Sequence, residues 1–390
     1  MTLASHPVWQ VGFRPFFALA CLAGAALPVL WALSLAGVVS APPGGLSTGI
    51  WAMQWHAHEM LFGFGWAVLG GFLLTASKNW VRIRGYHGPA LMFLTCAWLF
   101  ERVGMWFHDA WPRWLFVLSN NLFLVAVVAM LMSTLIRHRK ADSYRDNYFF
   151  LLMLPTFLFA KNLLLMPEHF SLGVSMALGL FRVAFLVMLE RTLTQFMKSV
   201  FQAEILRSRP LDGLIKGLAV LMIFESLLPR PLAAGLALLL SVLLLGRLAF
   251  WKPHLALRRL DLGIMYVGYC GIVAQLLLHF TQHHFPLALV GVIPVHVFGL
   301  GTMGLIIPAM LVRISKGHTG RKVEFDRGDK ALLWLMMAAL VLRVLAPQIM
   351  PARYLLWIEL TAAAWALCFV ILGVRYIPFL LRPRVDGKEH

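Results

Sequence analysis

Charge is scarce in this chain, and negative charge scarcest: 17 Asp and Glu stand against 34 Lys and Arg, and charged residues are 13% of 390. A soluble protein carries about 25%, and no soluble fold hides a content that is 60% hydrophobic. Cysteine is nearly missing. Cys21, Cys96, Cys270 and Cys368 each sit alone in an apolar run. Without CxxC or CxxCH spacing they argue against disulfides, thiolate metal clusters and covalent c-type haem. Low-complexity segments are absent, as is any repeat between the two halves. So is the acidic-and-basic loop signature of a major-facilitator transporter between spans two and three.

What the chain has instead is a series of long apolar runs, each able to cross a hydrocarbon core of ~30 Å. They predict an all-α integral membrane protein of about twelve spans, at 13–39, 51–75, 89–107, 114–136, 147–166, 171–189, 212–229, 232–250, 261–280, 286–312, 331–346 and 353–378. The first run is too long for a signal peptide and lacks a small-residue cleavage site, so it is expected to be a span. Residues 1–390 read as a single polytopic membrane domain.

The net charge of +17 suggests nucleic acid as a partner, but the basic residues are dispersed over short loops, so none is expected; the partner is the lipid bilayer. Lys and Arg fill alternate loops: Lys78, Arg82 and Arg84; Arg137, Arg139, Lys140 and Arg145; Arg191, Lys198, Arg207 and Arg209; Lys252, Arg258 and Arg259; and six between Arg313 and Lys330. The first and ninth loops hold none. The positive-inside bias then predicts both termini in the cytoplasm, and a bacterial cytoplasmic membrane as the location.

Ionisable residues inside apolar spans are costly and mark function. With that orientation they collect in the outer half: His56, His58 and Glu59 on span two, Glu101 and Arg102 on span three, Lys161 on span five, His296 on span ten and Arg343 on span eleven. An outward-opening polar pocket is the expectation. Neutral imidazole ligates haem iron, copper and zinc. His56 and His58 lie about 200° apart around a helix, so one regular helix does not bring both to one metal. His56 shares its face with Glu59, Gly63, Ala67 and Gly70, a smooth groove for a flat macrocycle or a neighbouring helix. Glu59 is a candidate partner for a ligating imidazole. His279 and His283 are spaced i, i+4, with His284 adjacent, which suits copper or another divalent metal, although histidines at a membrane surface also occur without one. On the cytoplasmic side, Arg14, the Ser77-Lys78-Asn79-Trp80 string and the tail from Arg313 to Arg321 read as interfacial anchors, or as an anion-binding or proton-entry patch.

Three segments carry a family resemblance. The string Trp55-His56-Ala57-His58-Glu59-Met60-Leu61-Phe62-Gly63-Phe64, continued by Gly71-Phe72-Leu73-Leu74-Thr75-Ala76 and Asn79-Trp80, resembles the NnrS family. So does the opening Gly12-Phe13-Arg14-Pro15-Phe16-Phe17. His296, Gly301-Thr302-Met303-Gly304 and the tail Arg313 to Gly317-His318-Thr319-Gly320-Arg321 make the third match. The chain departs at Ser77-Lys78, where the family pattern has Val-Pro. The resemblance implies a haem- and copper-containing cytoplasmic-membrane protein of nitric oxide metabolism and nitrosative stress, in denitrifying bacteria among others. Nitric oxide is the small-molecule ligand so implied.

The layout also looks like the catalytic subunit of haem–copper oxidases, in which a haem lies between spans two and ten. By that analogy one b-type haem is expected, held by His56 or His58 together with His296, with Arg102, Lys161 or Arg343 meeting its propionates. Spans six and seven carry no histidine, so a full binuclear centre is not expected. Copper is a second candidate cofactor. Three functions compete: a haem protein that handles nitric oxide, with or without reducing it; a transporter that uses the same polar pocket; and a non-catalytic protection factor. No motif names an electron donor.

Overall fold

The computed structural model describes residues 3–39, 51–285 and 287–388. Its long elements are all helices: α1 (Phe13–Leu35), α2 (Ala52–Trp80), α3 (Pro89–Trp106), α4 (Arg113–Arg137), α5 (Tyr148–Leu165), α6 (Phe170–Phe201), α7 (Arg209–Leu221), α8 (Arg230–Phe250), α9 (Leu260–His284), α10 (Ile293–Gly317), α11 (Arg327–Val344) and α12 (Tyr354–Leu381). Each expected span has a counterpart. The first loop, 40–50, and position 286, where the tenth span is expected to begin, lie outside the described residues.

The chain is an all-α integral membrane protein. Among the described residues, ten helices are long and apolar enough to cross a membrane. The two that fall short are α3, which carries Glu101 and Arg102, and α7. At ~1.5 Å per residue α7 spans only a part of a bilayer core, because it tightens into the 3-10 turn Met222–Leu227, where Phe224 leaves helical geometry. One boundary differs more. Residues 190–211 are expected as a loop carrying Arg191, Lys198, Arg207 and Arg209, yet α6 continues to Phe201 and the irregular segment is 202–208. Arg191 and Lys198 sit in the part of the helix from Leu180 on, which is free of Gly and Pro, and Glu190 finds cationic partners, described below.

Local signals place the helix starts. Pro occupies the first or second position of α3, α7, α8 and α10, where its missing N–H costs nothing. Asp326 and Asp329 form a reciprocal cap at α11, with Asp329 N donating to Asp326 Oδ1 at 2.9 Å and the return bond at 3.3 Å, as expected of a capping box.

The chain divides into two compact units, each discontinuous in sequence: residues 1–173, 311–324 and 366–390, and residues 174–310 and 325–365. Small residues let helices close up within each. In the first unit a Cβ on Gly71 would meet Phe16 Cβ at 2.6 Å, and Thr75 Oγ1 accepts from Phe13 N at 2.8 Å, tying α1 to α2. In the second a Cβ on Gly271 would meet the Gly301 backbone at 2.7 Å, and Thr302 Oγ1 donates to the Gly268 carbonyl at 3.0 Å.

Arg14 is fully buried. Its Nη1 donates to the carbonyls of Leu380 and Arg382, both at 2.7 Å, which are orphan acceptors at the end of α12. Arg14→Met is therefore expected to destabilise the protein by about 1–3 kcal/mol, read as a lower thermal midpoint in detergent. Equal midpoints would remove this role.

Candidate functional site

The first unit builds its polar centre on α2. The helix is regular over Ala52–His58, widens to a π-helix over Glu59–Gly65 and returns to α over Trp66–Trp80. Such π-segments recur at functional sites. Gln54 pins the start, its Oε1 accepting from Trp51 N at 2.8 Å and its Nε2 donating to the Leu164 carbonyl at 3.2 Å. Gly63 gives its carbonyl to the Trp98 indole at 3.1 Å.

Glu59, expected beside His56, instead reaches His58: Oε1 lies 3.1 Å from Nδ1. The other ring nitrogen of His58, Nε2, lies 3.0 Å from Asn120 Oδ1 and 3.3 Å from Glu101 Oε1. His58 is wholly buried, and neither nitrogen is left to a metal. Arg102 Nη1 donates to Glu59 Oε2 at 3.1 Å and Nη2 lies 3.0 Å from Glu101 Oε1. Lys161 Nζ donates to Glu101 and to the Asn120 carbonyl. Two carboxylates and two cations thus close on one imidazole.

The groove over Gly63 is filled. A Cβ there would collide with Arg102 Nη1, so glycine makes room for the guanidinium. This is the neighbouring-helix alternative, with α3 as the neighbour. His56 lies apart from the cluster, stacked on Trp31 with ring centroids 4.5 Å apart and planes at 16°.

The second unit repeats one feature. Its α10 is regular over Ile293–Phe298 and becomes a π-helix over Gly299–Gly304, so His296, like His56, stands three residues before a π-segment. His296 Nδ1 lies 2.8 Å from the Val292 carbonyl. A carbonyl only accepts, so Nδ1 carries the proton and Nε2 keeps its lone pair. The loop ahead is held by Gln348, whose amide bonds both backbone groups of Val290 at 2.9 and 3.0 Å. Gly291 has φ +78°, and a Cβ would meet Tyr354 Oη at 2.6 Å. That hydroxyl accepts from Arg343 Nη2 at 3.1 Å.

Also in this unit, Glu225 accepts from Ser175 Oγ at 3.0 Å and lies 3.7 Å from Arg182 Nη1 and 3.4 Å from His279 Nδ1. Arg182 is 1% exposed, and its Nε and Nη1 make no hydrogen bond. His279 is thus turned toward a carboxylate, while His283 packs edge-on against His284 at 4.8 Å. Among the described residues no group of three or more His, Cys, Asp or Glu is arranged to hold a metal ion, so the spacing of His279, His283 and His284 does not assemble one. The two units each hold imidazole and guanidinium groups, but with different partners.

Sequence reasoning picks out His58, Glu59 and Arg102 but not Asn120, which no pattern distinguishes from an ordinary span residue. It also misses a second network. Glu190 Oε1 accepts from Lys216 Nζ at 3.1 Å and from Arg207; Arg247 Nη1 lies 3.4 Å from Asp212 Oδ1 and 3.5 Å from Glu190 Oε2; and Arg247 Nε donates to Tyr269 Oη at 3.2 Å. Its signal was legible: an acid, Glu190, in an unbroken helical stretch.

The family model described as "NnrS protein" matches residues 7–384, nearly the entire chain. No curated protein matches it.

Proposed function

Because the chain belongs to the NnrS family, we propose that it is a haem-binding protein of nitric oxide metabolism in the bacterial cytoplasmic membrane, with His296 as an iron ligand. Family membership supports a role in the response to nitric oxide. The observation that carries the haem reading is the tautomer of His296: Nδ1–H spent on Val292 and Nε2 open. A backbone carbonyl on the far nitrogen is the partner a ligating histidine needs to fix its ring and its basicity. A haem would supply an iron that exchanges electrons and binds nitric oxide.

The protein's own residues prepare the site. The Gln348 clamp and the Tyr354–Arg343 pair hold the loop and ring position ahead of the π-segment. Arg182, which lies 3.7 Å from Glu225 but makes no hydrogen bond through Nε or Nη1, and Arg343 are the guanidinium groups of this unit suited to carboxylate side arms. Arg102, expected in that role, is already engaged by Glu59 and Glu101. In the first unit, His56 is a candidate imidazole in its own right. His58 serves instead as the centre of the charge cluster. Copper is implied by the family alone, since His279, His283 and His284 are not arranged as a metal group.

The test is the optical spectrum of protein purified after expression with haem supplied. A Soret band is expected in wild type and in His58→Asn, and its loss or displacement in His296→Ala. No chromophore in wild type would end the haem reading. A band unchanged in His296→Ala would move the ligand elsewhere. Metal analysis of the same sample addresses copper. Consumption of nitric oxide with an artificial electron donor separates turnover from protection.

A further inference from the structure

The first unit contains a cavity of about 360 Å³ that the haem reading does not use. It lies at the C-terminal end of α2, between the 81–88 turn and the last turns of α4. Lys78, Arg84 and Arg137 line it, together with His87, His138 and Thr134, and none of its described lining residues is acidic. In a membrane protein, three cations around one small volume repel one another unless something negative joins them.

Among the described residues none of the three is in an ion pair. The buried acids Glu59 and Glu101 of the membrane helices are taken by Arg102 and Lys161. Arg84 and Arg384 act on Lys78 as like charges. Asp386 is bound to Arg384, Oδ1 at 2.9 Å from Nε and Oδ2 at 2.6 Å from Nη2, and this grip holds its carboxyl below the ordinary range.

The fold also shapes the place. Arg82 turns the chain at φ +56°. Gly85 lies under the Lys78 stem, for a Cβ there would meet Lys78 Cδ at 2.8 Å. Thr134 Oγ1 donates to Tyr86 Oη at 3.3 Å, and Tyr86 Oη donates to the Met130 carbonyl at 3.0 Å, which ties the turn to α4. Interfacial anchors act singly on the headgroup layer. Here cations from two helices and a turn converge on one concave volume with an apolar wall of Leu74, Ile83 and Ala90. The volume is at the small end of ligand sites, ~300–1,000 Å³, which suits a phosphate group with a short organic substituent.

We infer that this basic cavity binds a phosphate-bearing anion, held through its phosphate oxygens by Lys78, Arg84 and Arg137. Two sources share that chemistry: an anionic phospholipid headgroup, for which basic pockets between membrane helices are suited, and soluble phosphate or a small phosphate ester.

Full-length protein in a neutral detergent is titrated, at constant ionic strength, with phosphatidylglycerol, with phosphatidylcholine and with inorganic phosphate, binding being counted by native mass spectrometry and by thermal shift. Phosphatidylglycerol or phosphate is expected to bind and raise the midpoint, and phosphatidylcholine not. Binding by the lipid alone assigns the headgroup; binding by phosphate that displaces the lipid assigns the soluble anion. The combined Lys78→Gln, Arg84→Gln, Arg137→Gln variant is expected to bind about tenfold or more weakly. Lys78→Arg, which keeps the charge, is expected to bind more tightly than the triple variant, and Arg258→Gln, outside the cavity, to bind as wild type. No binding of either anion above phosphatidylcholine, or equal binding by the triple variant, overturns the inference.

Discussion

Glu101→Ala is expected to leave little folded protein. Glu101 is fully buried, and its Oε1 meets three donor-bearing groups: Lys161 Nζ, Arg102 Nη2 at 3.0 Å and His58 Nε2 at 3.3 Å. Removing it strands Lys161, itself fully buried, with only the Asn120 carbonyl as acceptor. An uncompensated buried charge of this kind costs about 3–5 kcal/mol. Arg102 and His58 keep Glu59, so the loss centres on Lys161. The distinguishing comparison is Glu101→Leu with Lys161→Met, which takes out both charges at similar volume. Because a buried ion pair returns little net stability beyond a packed apolar pair, the double variant is expected to recover most of the lost thermal midpoint. If Glu101→Ala melts like wild type, or the double variant melts below both single variants, the cluster is not organised as an ion pair around Glu101.

Much of this architecture is legible from residue order. Runs of Leu, Val, Ala and Phe bounded by Pro, Gly and charge give the helices, because backbone groups in lipid must be satisfied inside each segment. Histidine and carboxylate inside such runs point to the polar centres, and His58, Glu59 and Arg102 do meet. The grouping within each centre is less legible, for two physical reasons. A regular period of about 3.6 residues puts Glu59 on the His56 face, but its carboxylate reaches the neighbouring His58 Nδ1 at 3.1 Å, and a π-segment follows. Its GFG pattern is easily taken for a packing groove, since glycine permits both a distorted helix and a close neighbour. The second reason is sequence distance. Asn120 and Lys161 join His58 from α4 and α5, and Glu190 joins Lys216 and Arg247 from α7 and α8. Single-helix periodicity carries no information about partners on other helices. The loop expected over 190–211 is confined to 202–208 for the same reason: Glu190, at its start, meets cationic protein rather than water.

The choice between His56 and His58, open at the level of sequence, turns on hydrogen bonds rather than position. His58 has both nitrogens engaged, and His296 has one engaged and one open. Spacing alone cannot distinguish these, because the decisive partner is in one case a backbone carbonyl four residues back and in the other a set of side chains from α2, α3 and α4.

A second large effect is expected where α9 crosses the π-segment of α10. Gly271→Val should lower the thermal midpoint sharply, while Gly235→Ala on α8 should leave it unchanged or raise it slightly. A Cβ at Gly271 would lie 2.7 Å from Gly301 C and O and 2.7 Å from Thr302 Oγ1. The first two are backbone atoms, which cannot swing away as a side-chain tip can, so the helices must separate. Separation breaks the Thr302 bond to Gly268 at 3.0 Å and opens the contact of Gly268 with Ile306. Overpacking of this kind costs about 1–3 kcal/mol. Gly235 has nothing within 4 Å of its Cβ position, and replacing a helical glycine with alanine there is worth about 0.8–1 kcal/mol in propensity. The crossing also fixes the π-turn that follows His296, so the functional reading adds a second readout. In Gly271→Ala, where a folded fraction survives, the Soret band expected for wild type should shift or broaden, because the imidazole support is displaced without loss of the imidazole. A Gly271→Val protein that melts with wild type would mean the two helices are not in close contact at Gly301.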